Sequence, residues 1–271
     1  MTISDLLDQA QKRHLRTEME VFLSYLLGVD RLELVAHGEI EVPVEKLADL
    51  HMGWAQIENG MPVAYLTYEK EFYGLSFYVD DRVLVPRGET ERLVEYTLDR
   101  AHRGMRVLEV GTGCGAISAA LKNAQPDLEV IATDISEDAL DVANKNFVQH
   151  GLDVKMIHSD LLESVPNEEF DVIVANLPYI GRETNNFISE NVEKHEPEVA
   201  LFGGSDGLEL YEKMFEQIRG QDRNPRYILG EIGFTQGRGI EALAKKHLPH
   251  YDFTLMQDYQ SLDRHFILER Q

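Results

Sequence analysis

Residues 107–118 read VLEVGTGCGAIS. Val107, Leu108 and Val110 form an apolar run of strand character, three glycines break it at once, and Ala116 and Ile117 then open a helical segment. A strand passing through a Gly-rich turn into a helix is the building unit of an open α/β sheet, which binds ligands outside the carboxyl ends of its strands. The glycines let the backbone approach a ligand closely, and the helix N-terminus adds N–H donors and a partial positive charge. Gly111, Thr112, Gly113, Cys114 and Gly115 are therefore candidate ligand contacts. With Ala116 in the last slot the stretch also fits the dinucleotide fingerprint GxGxxG/A, and a tight turn with no ligand is a third reading.

Strand patterns recur on both sides of this unit, at 106–110, 129–133, 153–158, 171–175 and 227–232, with helical segments starting near Ala116, Ser136 and Leu208. This alternation predicts an α/β fold with a parallel sheet covered on both faces. Segments 253–257 and 265–268 lie too close together for a helical crossover and predict an antiparallel terminal hairpin. Before the sheet, residues 1–65 place Leu6, Leu7, Leu15, Met19, Phe22, Leu23, Leu26 and Leu27 at helical spacing, with Gly28 as a stop, and predict a small helical bundle. Residues 66–85 turn aromatic and β-branched; FYGLSFYVDDRVLV predicts a hairpin linker with its turn at Asp80-Asp81. Residues 86–271 form the expected catalytic domain.

The 26 basic and 48 acidic side chains give a net charge of −22. So acidic a chain repels phosphate backbones, and no Lys/Arg cluster compensates, so a protein or small-molecule partner is expected rather than nucleic acid. No apolar run reaches the length of a membrane span and the N-terminus has no signal-peptide pattern, so a cytoplasmic location without membrane attachment is expected. The single cysteine, Cys114, excludes an intrachain disulfide and reads as a small buried spacer. The ten His show no metal-ligand spacing, and no metal is expected.

Asp134 ends the next strand pattern about twenty residues past the Gly turn, where a carboxylate accepts both hydroxyls of an adenosine ribose; Ile135 follows it. This suits NAD or S-adenosylmethionine. Glu109, placed to face a cationic amino-acid tail, and Ser159-Asp160, placed for an adenine amino group with Leu161 beside it, favour the methyl donor. The stretch FDVIVANLPYI at 170–180 then brings Asn176, Leu177, Pro178 and Tyr179 to another strand end. Methyl transfer from a sulfonium needs mainly alignment. A planar NH2 group is a poor nucleophile, and Asn176 Oδ1 and the Leu177 carbonyl can each accept one of its N–H bonds while Tyr179 packs against its plane. Pro178 biases Leu177 to an extended backbone, which helps aim that carbonyl. Asn and Pro are also ordinary turn residues, so the tetrad alone is ambiguous with a plain turn.

These features, together with GMPVAYLTYEKEFYGLSFYV (60–79), VLVPRGETERLVE (83–95), EPEVALFGGSDGLELY (196–211) and GEIGFTQG (230–237), resemble the PrmC/HemK family of protein-(glutamine-N5) methyltransferases that act on peptide chain release factors. The resemblance covers nearly the whole chain. It implies a Rossmann-like seven-stranded sheet and methylation of the glutamine in the Gly-Gly-Gln motif of class-1 release factors. S-adenosyl-L-methionine would be the donor and S-adenosyl-L-homocysteine the product. It further implies that Gly111 to Gly115, Asp134, Asp160, Leu161 and Asn176 contact the cofactor, that Asn176 to Tyr179 hold the amide, and that Pro86, Arg87, Glu89 and Glu91 lie near the entrance. The N-terminal bundle would dock the release factor, and a monomer is expected. The chain departs from the family at Leu177, where a first Pro is usual, at Gly88 in PRGETE, and at Tyr68 after YLT. A glutamine methyltransferase of a large-subunit ribosomal protein, an adenine-N6 nucleic-acid methyltransferase and a non-catalytic binding module are the alternatives.

Overall fold

The structure, a computed structural model, describes residues 1–184 and 188–271. The chain forms two compact units, Met1–Glu69 with Ser189–His195, and Lys70–Ile188 with Glu196–Gln271. Residues 185–187, within the long polar stretch 181–199, lie outside the described residues.

The first unit holds helices α1 (Ile3–Lys12), α2 (Arg16–Leu27), α3 (Arg31–Ala36), α4 (Leu47–Glu58) and α5 (Val63–Thr67). Thr2 starts α1 through a reciprocal capping box with Asp5, and Gly28 ends α2 at φ +69°, a conformation that suits a residue lacking Cβ. The helical-period apolar residues meet in one core, where Leu6, Leu7, Met19, Phe22, Leu23 and Leu26 pack with Leu34, Leu50 and Ile57.

The second unit begins with the antiparallel pair β1 (Lys70–Phe72) and β2 (Leu75–Phe77). Its turn is Tyr73-Gly74, not the expected Asp80-Asp81. Tyr73 and Gly74 both have positive φ, 49° and 73°, the backbone a two-residue hairpin needs to match strand twist. Asp80 instead binds the Arg82 backbone N–H and guanidinium, and closes a separate bend.

After α6 (Glu91–Leu98) come β3 (Arg106–Val110), α7 (Ala116–Ala124), β4 (Glu129–Asp134), α8 (Glu137–His150), β5 (Lys155–His158) and β6 (Val172–Ala175). The short α9 (Glu190–His195) belongs to the helical unit; α10 (Glu209–Gly220), β7 (Tyr227–Glu231), α11 (Gly237–His247), β8 (Tyr251–Gln257) and β9 (Asp263–Arg270) complete the chain. The seven strands lie in the order β5-β4-β3-β6-β7-β9-β8. The first five are parallel, while β9 runs antiparallel to both β7 and β8, as the spacing of the terminal segments predicts. From β3 the chain proceeds outward through β4 and β5, then returns to place β6 on the other flank of β3. This reversal opens a crevice between the carboxyl ends of β3 and β6, the usual ligand position in such a sheet. The Gly turn follows β3 directly and Asn176 follows β6 directly, so the two informative stretches flank one crevice.

Candidate active site

A cavity of about 450 Å³ occupies this crevice, within the size range of small-molecule sites. Pro86, Arg87, Glu109, Gly111, Thr112, Gly113, Cys114, Asp134, Ile135, Asp160, Leu161, Asn176, Leu177 and Pro178 line it. Gly115, Tyr179, Glu89 and Glu91 do not.

Glu109 lies at the floor, 1% exposed. Its Oε2 accepts from Thr112 Oγ1 at 2.7 Å, from the Ser118 N–H at 3.0 Å and from Ser118 Oγ. All three bonds fall on one oxygen, which leaves Oε1 for a ligand. Burial pushes the carboxyl pKa up to about 7, against the lowering effect of the Ser118 and Thr112 donors. Asp134 receives the Gly113 N–H on Oδ2 at 2.8 Å and the Ser136 N–H on Oδ1 at 2.9 Å. Each oxygen keeps a lone pair for a hydroxyl. Burial raises this carboxyl as well.

At Gly113 (φ +55°) an added Cβ would meet nothing within 4 Å, so the turn leaves room in front of its backbone. Gly115 (φ +85°) differs: a Cβ there would lie 2.7 Å from the Phe147 ring, so it packs the turn onto α8 behind the cavity. Cys114 is buried, and burial pushes its thiol up to about 12, in keeping with a spacer rather than a nucleophile. Asp160 pairs with Lys213 at 2.5 Å, a partner that spacing along the chain does not reveal.

This set of acceptors suits a ligand with a cationic amine and a vicinal diol. The pyrophosphate of a dinucleotide, the other reading of the Gly turn, would instead bring its negative charge toward the Glu109 carboxyl. S-adenosylmethionine fits the residues present.

At the opposite end, Asn176 Nδ2 donates to Thr90 Oγ1 at 3.1 Å, and Thr90 Oγ1 donates to Glu231 Oε2 at 2.7 Å. Leu177 is 3% exposed and belongs to the main core, beside Gly111. Among the described residues nothing donates to its carbonyl. The Tyr179 hydroxyl donates to Glu231 Oε1 at 3.2 Å and its carbonyl accepts from Gln236 Nε2 at 2.8 Å. Burial, and then the Glu231 charge, raise its phenol pKa. The Tyr211 hydroxyl lies 2.6 Å from the Glu231 carbonyl oxygen and 3.1 Å from that of Ala175, which ties β6 to β7 under the tetrad.

The 86–91 segment divides. Pro86 and Arg87 reach the cavity, and Arg87 pairs with buried Glu196, whose other oxygen accepts the Val85 N–H at 3.2 Å. Glu91 points elsewhere and accepts the Tyr73 N–H at 2.9 Å, holding the β1–β2 turn. Glu89, in the one-turn helix Gly88–Thr90, is half-buried outside the cavity. Thr90, Glu196, Tyr211 and Glu231 lie inside the signature stretches, but no local spacing marks them as parts of a site. Glu212, Glu216 and His247 gather their ligand atoms within 4.8 Å, a grouping no chain spacing predicts; Lys246 already pairs with Glu212 there.

The sheet order and the crevice at its reversal point suit a methyltransferase. Residues 89–202 match the family described as methyltransferase small domain, and residues 2–67 match the PrmC N-terminal domain. A methyltransferase of solved structure from Pyrococcus furiosus shares the fold, with a TM-score of 0.55 and 21% identity over 80% of this chain and 96% of that one. The chain is 35% identical to the release factor glutamine methyltransferase of Enterococcus faecalis over 89% of its length and 88% of that protein's, and 37% identical to that of Streptococcus pneumoniae over 80% and 77%. It belongs to the release factor glutamine methyltransferase family. Among the described residues no helix is long and apolar enough to cross a membrane.

Proposed function

We propose that this protein methylates the side-chain amide nitrogen of the glutamine in the Gly-Gly-Gln motif of class-1 peptide chain release factors, using S-adenosylmethionine and releasing S-adenosylhomocysteine. The observation that carries the reading is the pair of acceptors, Asn176 Oδ1 and the Leu177 carbonyl, at the strand end that flanks the cofactor crevice. Two acceptors match the two N–H bonds of a carboxamide NH2.

When bound, the donor supplies a methyl group already activated on a sulfonium sulfur. The remaining work is alignment, which falls to this chain's residues. Asn176 Oδ1 and the Leu177 carbonyl accept hydrogen bonds from the two amide N–H groups and so turn the nitrogen lone pair toward the cofactor cleft. Burial of the Leu177 side chain fixes the carbonyl that a proline ring would otherwise stiffen. A neutral amide is too weak an acid to ionise first, so its proton leaves after the new N–C bond forms, to water. Glu109 Oε1 would face the ligand's ammonium group, and Asp134 would accept the ribose hydroxyls.

The helical unit docks the release factor, so its removal impairs methylation of the whole factor far more than methylation of a short Gly-Gly-Gln peptide. The protein acts as a cytoplasmic monomer, and its net charge of −22 disfavours direct binding of nucleic acid. The test is incubation with S-adenosylmethionine and a release factor, followed by mass spectrometry of the Gly-Gly-Gln peptide. Asn176→Ala reduces the added methyl to a residual rate, readable over long incubation, while leaving cofactor affinity largely intact. Methyl on a large-subunit ribosomal protein in place of the release factor would overturn the substrate assignment, and unchanged turnover in Asn176→Ala would overturn the role of that residue.

A further inference from the structure

Glu231 is 1% exposed, at the end of β7, and reaches both ends of the tetrad, Tyr179 directly and Asn176 through Thr90. One of its oxygens accepts from Tyr179, the other from Thr90, and Thr90 in turn accepts from Asn176. His265, also buried, brings Nε2 within 3.7 Å of the same carboxylate. An asparagine amide has two ends of nearly equal shape and opposite hydrogen-bonding character, so its neighbours decide which end faces the cavity. Thr90 has one hydroxyl proton. Glu231 takes it, so only lone pairs of Thr90 remain for Asn176, and these select the NH2 end.

From this geometry we infer that Thr90 and Glu231 are positioning residues that hold the Asn176 amide with its acceptor oxygen toward the substrate. The reversed amide would set two acceptors face to face at Thr90 and present a donor to the substrate NH2, which already carries two donors. Neither residue belongs to the tetrad, and β7 lies beyond β6 from the Gly turn, so the orienting group acts from behind the site. Its carboxylate makes the Thr90 proton a charge-assisted donor, stronger than a neutral pair. The inference rests on the amide-methylation reading above.

The test compares Thr90→Val, which keeps the shape and removes the hydroxyl, with Thr90→Ser, which keeps the hydroxyl. Each is made in the full chain, alone and with Asn176→Ala. Turnover is measured on a Gly-Gly-Gln peptide, cofactor affinity by titration, and folding by thermal melting. Thr90→Val is expected to lower kcat about 10- to 100-fold, the scale set by one misdirected hydrogen bond, with cofactor Kd within about twofold. Thr90→Ser recovers most of the lost rate. In the Asn176→Ala background Thr90→Val adds less than about twofold, because the amide it orients is gone. If Thr90→Val fails to melt cooperatively, Thr90→Ala carries the same comparison.

Wild-type kcat in Thr90→Val, no recovery in Thr90→Ser, or a loss that multiplies with that of Asn176→Ala would each overturn the positioning role while leaving the amide reading intact. Absence of peptide methylation by the wild-type protein would overturn both.

Discussion

Glu109→Gln should make the free protein more stable, and by an amount that depends on pH in a set direction. The three donors that reach Glu109 all end on Oε2, and a glutamine amide oxygen placed there can accept the same three, as neutral rather than charge-assisted bonds. What the substitution removes is the cost of holding a buried carboxylate ionised. Burial lifts the folded-state pKa from 4.5 to about 7. The folded protein therefore binds this proton more tightly than the unfolded chain does. Stability contributed by the group is greatest below pH 4.5, falls as pH rises toward 7, and stays at its low value above. At about 1.4 kcal/mol for each pH unit the loss amounts to about 3 kcal/mol. With roughly 2–4 °C per kcal/mol for a domain of this size, Glu109→Gln should melt about 6–12 °C above wild type at pH 8. The gap should close as pH approaches 5. Thermal denaturation of the two ligand-free proteins from pH 5 to 9 measures it, and the titration of shared carboxylates cancels in the difference. A variant no more stable than wild type at pH 8, or a gap equal at pH 5 and pH 8, would refute the reasoning. Cofactor affinity should move oppositely, falling about tenfold at pH 8 as the charge facing the ammonium group is lost.

Two further substitutions probe the supports of the site. Asp134→Ala removes the ribose acceptor and leaves the Gly113 and Ser136 N–H groups without their carboxylate; cofactor Kd should rise about 10- to 100-fold by isothermal titration, and a change below about threefold would count against the assignment. Glu196→Ala strips the partner from Arg87 and from the Val85 N–H. Because Arg87 is partly hydrated, the expected loss is about 1–3 kcal/mol by denaturant melting, with a raised peptide KM, and no change in either would show that the pair does not brace the entrance.

Elements whose signals are local were legible in the chain. The strands from Arg106 to Glu231 and the glycine turn follow from apolar runs and residues that allow positive φ, and the antiparallel end follows from a short connection. The β1–β2 turn was not legible, because an Asp pair is a common turn signal whereas Tyr73 at positive φ is not. Pairings across the fold were also hidden. Thr90 meets Glu231 across 141 residues and Arg87 meets Glu196 across 109, so nothing in either neighbourhood announces the other. The same holds for Tyr179. Sequence presents it as a shelf for the amide, and the carboxylate from β7 that binds its hydroxyl has no local signal. Residues 189–195, far along the chain, pack with the N-terminal helices, a grouping that periodicity does not encode.

The departure at Leu177 shows how one requirement can be met by different physics. A proline at this position limits the backbone through its ring, whereas a leucine permits several conformations and must be held by its surroundings. Here the side chain is buried against the Gly turn, its N–H lies 3.5 Å from the Tyr211 hydroxyl, and Pro178 restricts it from the other side. Burial of a leucine side chain is worth about 2–3 kcal/mol, more than the half to one kcal/mol by which removing backbone freedom usually stabilises a chain. The carbonyl can thus be held in place without the ring. The anchor is also the wall of the cofactor crevice, since Leu177 Cδ2 would lie 3.1 Å from a Cβ at Gly111. Amide acceptor and cofactor turn therefore share a rigid body, and the alignment that methyl transfer requires is built into the core rather than into the tetrad alone.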